Sequence, residues 1–248
     1  MRKYVAILIT IMAGILVANT AYSVRSTKHQ KPERLPINLI VDQLSSEDGL
    51  PPVEILQPSF SASQPNRIEE SSYTIKNNTT KSITALVVNK TISYAINGTT
   101  IKHSGYSSVD YALHPDVGAH RVLAPSNELQ MDSSPVEFEP DAVIKEINLR
   151  LDYILFDDNT SLGRGGGGEK KINLMREGAR KFKGLLVQRY RNNGESLSNI
   201  LPLLESRDAY PVLQLTDINL TLGADRYRLH LLKTLQTKGA REVERFLK

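Results

Sequence analysis

A run of glycines between a predicted strand and a predicted helix is the first segment whose composition suits chemistry. Residues 163–168 read Gly-Arg-Gly-Gly-Gly-Gly. A Walker phosphate loop requires Lys and then Ser or Thr after its last glycine, because these side chains reach phosphate and magnesium. Glu169 follows Gly168 instead and places a negative charge where phosphate would bind. The segment therefore predicts a flexible hinge, and no nucleotide or other cofactor is expected.

A second candidate is a cluster of oxygen-bearing side chains. Asp157, Asn159 and Ser161 have the 1, 3, 5 spacing of a calcium loop. Such a loop needs glycine at its sixth position and a bidentate glutamate at its twelfth, and the chain has Leu162 and Gly168 there. The pattern favours a tight turn over a calcium site.

Metal and thiol chemistry find little support. The chain has no cysteine, which excludes thiolate zinc sites, iron–sulfur clusters and thiol catalysis. A histidine site would require His103, His114 and His120 to converge with acidic partners, and their spacing follows no metal-binding pattern. No metal ligand is assigned.

Hydrolase chemistry is equally weak. The chain lacks a Gly-x-Ser-x-Gly elbow. The acid pairs Asp157–Asp158 and Glu137–Glu139 are neighbours in sequence, which does not establish the opposed geometry that glycosidases need. No catalytic residue is assigned, and the chain is predicted to be non-enzymatic. A hydrolase whose site assembles from distant residues is an alternative.

The N-terminal segment predicts export. Arg2 and Lys3 precede the apolar run Val5–Ala18, and the small-x-small site Ala21-Tyr22-Ser23 follows. An apolar run of 14 residues spans only about 21 Å of a bilayer core of about 30 Å. Residues 1–23 are therefore predicted to be a signal peptide cleaved after Ser23, with cleavage after Ala21 as the neighbouring option. An uncleaved signal anchor is the alternative.

Charge divides the remaining chain into an acidic and a basic part. Residues 35–168 carry nine Lys/Arg and 17 Asp/Glu, net −8, and residues 169–248 carry 16 and nine, net +7. Two regions are therefore predicted. Either the two regions attract each other, or the basic region faces an anionic partner. A basic helix over 169–191 could lie on a membrane, although its apolar stripe favours packing within the protein. Export disfavours nucleic acid as a partner.

The acidic part has the patterns of strands. Residues 24–50 are polar and predict a linker, and residues 51–162 predict a β-sandwich. The runs Ile83–Ile96 and Val143–Phe156 are rich in β-branched and aromatic residues. Asn97-Gly98 is a strong hairpin signal. In the second run apolar residues from Ile147 to Leu155 alternate with polar ones through Asp152, which predicts one apolar face. Several such strands indicate an antiparallel sandwich.

The basic part is predicted to be helical and duplicated. Gly178-Ala179 recurs as Gly223-Ala224, an offset of 45 residues. One helix face carries an apolar stripe formed by Ile172, Met175, Ala179, Phe182, Leu186 and Tyr190. The corresponding positions are Asp217, Leu220, Ala224, Tyr227, Leu231 and Leu235, of which only the first is not apolar. Residues 169–248 are therefore predicted to form two helix–turn–helix units.

Local signals set the helix ends. Thr216-Asp217 is a good N-cap pair for the second long helix. Gly194 and Gly239 are expected to stop the two long helices in left-handed turns, and shorter helices are predicted over Leu197–Leu204 and Ala240–Leu247. The fold class is therefore α+β.

The segment from Ile147 to Gly163, with the Gly178-Ala179-Arg180 step, resembles a recurring pattern in uncharacterised exported bacterial proteins. In those proteins an immunoglobulin-like sandwich precedes helices. The resemblance covers roughly residues 50–190. It implies export and a β-sandwich, and it brings no activity and no functional residues.

Together these patterns predict an exported, non-enzymatic binding or structural protein, periplasmic or extracellular. Its expected partner is an unknown protein or envelope component. The alternative is an envelope-associated protein held by an uncleaved N-terminal helix or by its basic helices, with membrane contact through the N-terminus.

Overall fold

The computed structural model describes residues 37–44, 51–62, 64–113, 122–165, 167–192, 194 and 196–247. The predicted signal peptide, residues 1–23, lies outside the described residues, as do His114 and His120. Among the described residues, no helix combines the length and apolar character that crossing a membrane demands.

Ten strands form three sheets in the described part of the chain. They are β1 Asn38–Asp42, β2 Val53–Ser61, β3 Arg67–Ile68, β4 Glu70–Asn77, β5 Ile83–Ile96, β6 Thr99–Asp110, β7 Glu128–Ser133, β8 Val136–Glu137, β9 Val143–Phe156 and β10 Ser161–Gly163. The largest sheet has the order β1-β9-β5-β6, with β10 also pairing with β9. Strands β2-β4-β7 form a second sheet and β3-β8 a third.

The largest sheet is mixed, so the prediction of a purely antiparallel arrangement is wrong at its edge. Strand β1 runs parallel to β9, with Asn38 opposite Glu146 and Asp42 opposite Arg150. Strand β1 lies inside the segment predicted as a linker. Its five residues are flanked by polar sequence, and pairing with β9 supplies the order that local composition does not indicate.

The hairpin at Asn97-Gly98 is confirmed. Asn97 and Gly98 have φ angles of 50° and 79°, and Ile96 pairs directly with Thr99. A two-residue turn with positive φ at both positions matches the right-handed twist of the flanking strands. Strands β5 and β6 therefore run side by side along their length.

Strand β9 departs from the predicted alternation at Asp152. Val88 pairs with Leu151 and Val87 with Tyr153, so an irregularity in register leaves Asp152 as an extra residue. A bulge shifts the side-chain alternation by one. Beyond it, Asp152, Tyr153 and Ile154 are all buried, so the prediction of a single apolar face is wrong in this half of the strand. This difference arises from tertiary packing, because a helix that follows later in the chain covers the second face of the strand.

The two larger sheets share one hydrophobic cluster. The three-stranded sheet contributes Val53, Ile55, Tyr73 and Ile75, and the mixed sheet contributes Ile83, Leu86, Val88, Leu149, Leu151, Ile154 and Phe156. Buried apolar side chains of this size each contribute about 1.5–3 kcal/mol relative to exposure. This cluster fixes the sheets on which the helices pack.

Helices make up the C-terminal part. They are α1 Gly168–Asn192, α2 Leu201–Glu205, α3 Ile218–Lys238 and α4 Ala240–Leu247, with short 3-10 helices at Tyr111–Leu113 and Leu197–Asn199. Helix α3 begins where predicted, since the Asp217 carboxylate accepts a hydrogen bond of 2.7 Å from the main-chain N–H of Asn219. The predicted short helix Leu197–Leu204 is divided between a 3-10 turn and α2.

The apolar stripe of α1 is buried over its whole length, as the spacing predicts. Its first member, Ile172, packs against Ala85, Val87 and Tyr153 on the mixed sheet. The later members pack with α3 and α4 in the largest helical cluster. Packing within the protein therefore uses the face that a membrane-surface helix would need.

Helices α1 and α3 cross at two glycines. A Cβ atom on Gly178 would overlap the main-chain oxygen of Leu220 and lie 2.7 Å from its carbonyl carbon. A Cβ atom on Gly223 would overlap the main-chain oxygen of Met175 and lie 2.6 Å from its Cα. The two contacts are reciprocal, because Met175 and Leu220 are themselves 45 positions apart. The duplication itself stays a prediction.

Candidate functional site

The glycine run connects β10 to α1 and covers a buried carboxylate. Asp152 is fully buried, and its Oδ1 lies 3.4 Å from Nη2 of Arg150. Its Oδ2 accepts no hydrogen bond from the described residues, and a Cβ on Gly168 would lie 2.9 Å from it. A negative charge beneath the start of the helix opposes phosphate binding. The structure thus places a second anionic group, the carboxylate of Asp152, near the start of α1 in addition to Glu169.

The residues with calcium-like spacing form the turn between β9 and β10, as predicted. Asn159 has a φ of 64°, and Ser161 pairs with Leu155 across the hairpin. Lys81 Nζ lies 2.7 Å from Asp158 Oδ2. This hydrogen bond, and those from Thr160, hold the pKa of Asp158 far below its usual range. The charge of Asp158, one of the two carboxylates of the turn, is therefore matched within the protein.

The remaining candidates do not converge. His103 is exposed on β6 and meets Phe138 edge to face, with ring centroids 5.8 Å apart. Glu137 lies 3.4 Å from Arg67. No three described His, Cys, Asp or Glu side chains are grouped to hold a metal ion.

A buried network around Asp225 of α3 is structural. Asp225 Oδ1 accepts hydrogen bonds from Tyr210 Oη at 2.7 Å, Arg207 Nε at 3.1 Å and Arg228 Nε at 3.2 Å. Arg228 Nη1 also donates to the main-chain oxygen of Leu204 at 2.7 Å. Burial and the hydrogen bond to Asp225 raise the pKa of Tyr210 to about 12. These groups hold α2 and α3 together and engage the carboxylate within the protein.

A cavity of about 400 Å³ between the helices is the best candidate for a site. We call it the helical cavity. Its lining residues come from four separate elements and are Ala112, Leu113, Asn173, Arg176, Ala179, Arg180, Lys183, Tyr227 and Phe246. Four of them, at positions 173, 176, 180 and 183, lie on one face of α1, because residues three and four apart are neighbours on a helix. The apolar and aromatic members of the lining are Ala112, Leu113, Ala179, Tyr227 and Phe246.

One basic residue of the cavity is fixed in place by the sheet. Arg176 donates from Nε and Nη2 to the two carboxylate oxygens of Asp110, at 2.8 and 2.9 Å. Asp110 is fully buried at the end of β6, and this hydrogen bond raises the pKa of Arg176. Bidentate pairs of this kind set orientation as well as charge. Arg176 therefore joins α1 to the sheet and carries a compensated charge.

Two further cations at the cavity lack such partners in the described part of the chain. Arg180 donates from Nε to the main-chain oxygen of Arg176, at 3.4 Å. Arg180 and Lys183 are exposed, and neither forms an ion pair with any of the described residues. No Asp or Glu is among the described residues that line the cavity. At the mouth, the solvent-exposed part of the lining, the described residues thus present two positive charges without an ion-pair partner beside the apolar side chains of the cavity.

Sequence reasoning did not find this cavity. It identified Arg180 and Lys183 as members of a basic helix, yet their grouping with Leu113 and Phe246 depends on packing between segments far apart in sequence. Asp110 and Arg176 are 66 residues apart, and no local pattern links them. The only sequence signal was the basic face beside the apolar stripe of α1.

Comparisons with known proteins assign no family. No family model and no curated protein matches the chain. One solved structure that aligns with it is the X-ray structure of Northeast Structural Genomics Consortium target SoR45, at 14% identity and a TM-score of 0.23. That alignment covers 44% of this chain and 76% of the other. At this level of similarity nothing about function follows from it.

Proposed function

We propose that this chain is an exported, non-enzymatic protein that binds a small molecule with an apolar body in the helical cavity. The observation that carries the proposal is the cavity itself. Its volume of about 400 Å³ falls within the range of about 300–1,000 Å³ typical of small-molecule sites. Leu113, Ala179, Tyr227 and Phe246 supply the apolar surface.

The chemistry of the lining supports binding over catalysis. Its polar members are Asn173, Arg176, Arg180, Lys183 and Tyr227. General acid–base or nucleophilic catalysis requires a nucleophile or base held within hydrogen-bond reach of a partner that orients it. None of the described residues of the lining is a carboxylate, a histidine or a serine that could take that role. Its side chains instead suit recognition of a ligand by shape and charge.

Finer features of the architecture also belong to this proposal. The resemblance to exported proteins suggests an immunoglobulin-like sandwich, and the hydrophobic cluster shared by the two larger sheets supports that arrangement. The reciprocal contacts of Gly178 and Gly223 support a duplicated helical unit. In this proposal the sandwich is the scaffold and the helical unit carries the binding site.

The binding proposal predicts saturable uptake of an uncharged fluorescent probe. N-phenyl-1-naphthylamine should gain fluorescence on titration with the protein, because burial in the cavity removes its apolar surface from water. Ala112→Trp should weaken binding at least about tenfold, because the indole ring fills part of the cavity. A tenfold change corresponds to about 1.4 kcal/mol. Ala112 is exposed, so the variant should fold.

The matched control is Ala240→Trp, at an exposed alanine of α4 outside the lining. This variant should bind the probe as the parent does, and circular dichroism melts should verify that both variants fold. Absence of a saturable signal in the parent would exclude the proposal. An Ala112→Trp variant that binds as tightly as the parent would exclude this cavity as the site.

The export component predicts a shortened mature chain. Expression with an intact export system should yield a protein whose first residue is Val24, because Ala21-Tyr22-Ser23 meets the small-x-small requirement for cleavage. Mass spectrometry of the intact protein from the periplasm or medium measures this directly. A protein that retains Met1 in those fractions would contradict cleavage, and one confined to the cytoplasm would contradict export.

A further inference from the structure

We propose that the ligand of the helical cavity is a single-chain amphiphile with an anionic carboxylate head. This inference rests on the function proposed above and adds the position and sign of the ligand's charge. The apolar chain lies against Leu113, Tyr227 and Phe246, and the head lies at Arg180 and Lys183 at the mouth.

The charge of the ligand's head group follows from the excess of positive charge at the mouth of the helical cavity. Arg176 is neutralised by Asp110 through two hydrogen bonds. Arg180 and Lys183 form no ion pair with described residues, and no carboxylate is among the described residues that line the cavity. Anions are therefore attracted and cations repelled at this rim. Charge-assisted hydrogen bonds from a guanidinium and an ammonium would satisfy a carboxylate with two oxygens.

The number of chains follows from size and shape. A cavity of about 400 Å³ lies near the lower end of the range for drug-sized ligands. That volume suits one aliphatic chain and does not suit a two-chain lipid. The pair Arg180 and Lys183 also lies on one face of α1, so both contact one head group and leave the apolar wall to the chain.

The test compares decanoate with 1-decanol, which differ in charge and share the chain length. Each is titrated against the protein carrying bound N-phenyl-1-naphthylamine, and displacement gives the affinity. The parent should bind decanoate about tenfold more tightly than decanol, because two charge-assisted contacts at an exposed rim support a preference of that size. Raising sodium chloride from about 0.05 to about 0.5 M should reduce the preference through screening.

Substitution of the two cations should remove the preference selectively. The double variant Arg180→Gln/Lys183→Gln should bind decanol unchanged and lose most of the advantage of decanoate. Arg189→Gln, at an exposed position of the same helix outside the lining, is the matched control and should retain it. Both variants change only exposed side chains, and circular dichroism verifies their folding.

The outcomes separate the two proposals. If decanol binds and decanoate has no advantage, or if the advantage persists in the double variant, the anionic head is wrong while the binding function stands. If the probe binds but neither compound displaces it and calorimetry detects no binding of either, the amphiphile is wrong while the binding function stands, and if the probe itself does not bind, both proposals are wrong. Loss of the advantage in Arg189→Gln to the same extent as in the double variant would assign it to overall charge and overturn the site.

Discussion

Gly178→Ala should lower the free energy of unfolding by at least about 3 kcal/mol, the upper part of the range for overpacking a filled core. The added methyl group overlaps the main-chain oxygen of Leu220. A main-chain atom of a packed helix cannot rotate aside as a side chain can, so α1 and α3 must separate. The measurement is a urea unfolding curve followed by circular dichroism.

The matched control lies six residues further along the same helix. A Cβ on Gly184 would meet no heavy atom within 4 Å. Gly184→Ala should therefore stabilise the protein by about 0.5–1 kcal/mol, the usual difference between the two residues within a helix. If both substitutions shift stability in the same direction, the close crossing does not exist in solution.

The reciprocal contact at Gly223 gives the same argument a second measurement. Gly223→Ala should cost as much as Gly178→Ala, because its methyl group overlaps the main-chain oxygen of Met175. The double variant should cost clearly less than the two single variants added together. Once one methyl group has separated the helices, the second meets a wider gap, and contacting residues are not additive. Full additivity would indicate two independent crossings.

Local sequence determined the elements that have strong internal signals. Strands β5 and β9 have the predicted limits, Ile83–Ile96 and Val143–Phe156, because each is a long run of β-branched and apolar residues. The turn at Asn97-Gly98 and the cap at Asp217 also formed as predicted. In each case the signal that predicts the element lies in residues within a few positions of one another.

Elements that depend on distant partners were missed or misread. Strand β1 owes its order to β9, more than a hundred residues away. Asp152 is buried because a bulge turns it towards a face that α1 covers, and nothing near it in sequence indicates either feature. The helical cavity also depends on distant partners, since its wall combines the 3-10 helix Tyr111–Leu113 with α1, α3 and α4. Sequence therefore indicated the scaffold better than the site.

Phe182→Ala, the second large effect, should destabilise the protein by about 3–5 kcal/mol, the usual range for removing a fully buried aromatic ring. Phe182 is completely buried in the main helical cluster, and its ring meets that of Tyr210 edge to face with centroids 5.9 Å apart. The neighbouring Lys181→Glu is the matched control. It exchanges a half-exposed ion pair with Glu177, 3.2 Å long, for a like-charge pair.

The control substitution should cost under about 1 kcal/mol, because exposed pairs contribute little and salt screens them. Comparing the two variants in urea at low and high salt separates the two sources of stability. The net charge of +7 over residues 169–248 makes a charge-held helical region conceivable. If Lys181→Glu costs as much as Phe182→Ala at physiological salt, charge holds this region together. The buried apolar stripe of α1 would then not be the main stabilising interaction of the helical region. The packing that forms the wall of the helical cavity would also be left without an explanation.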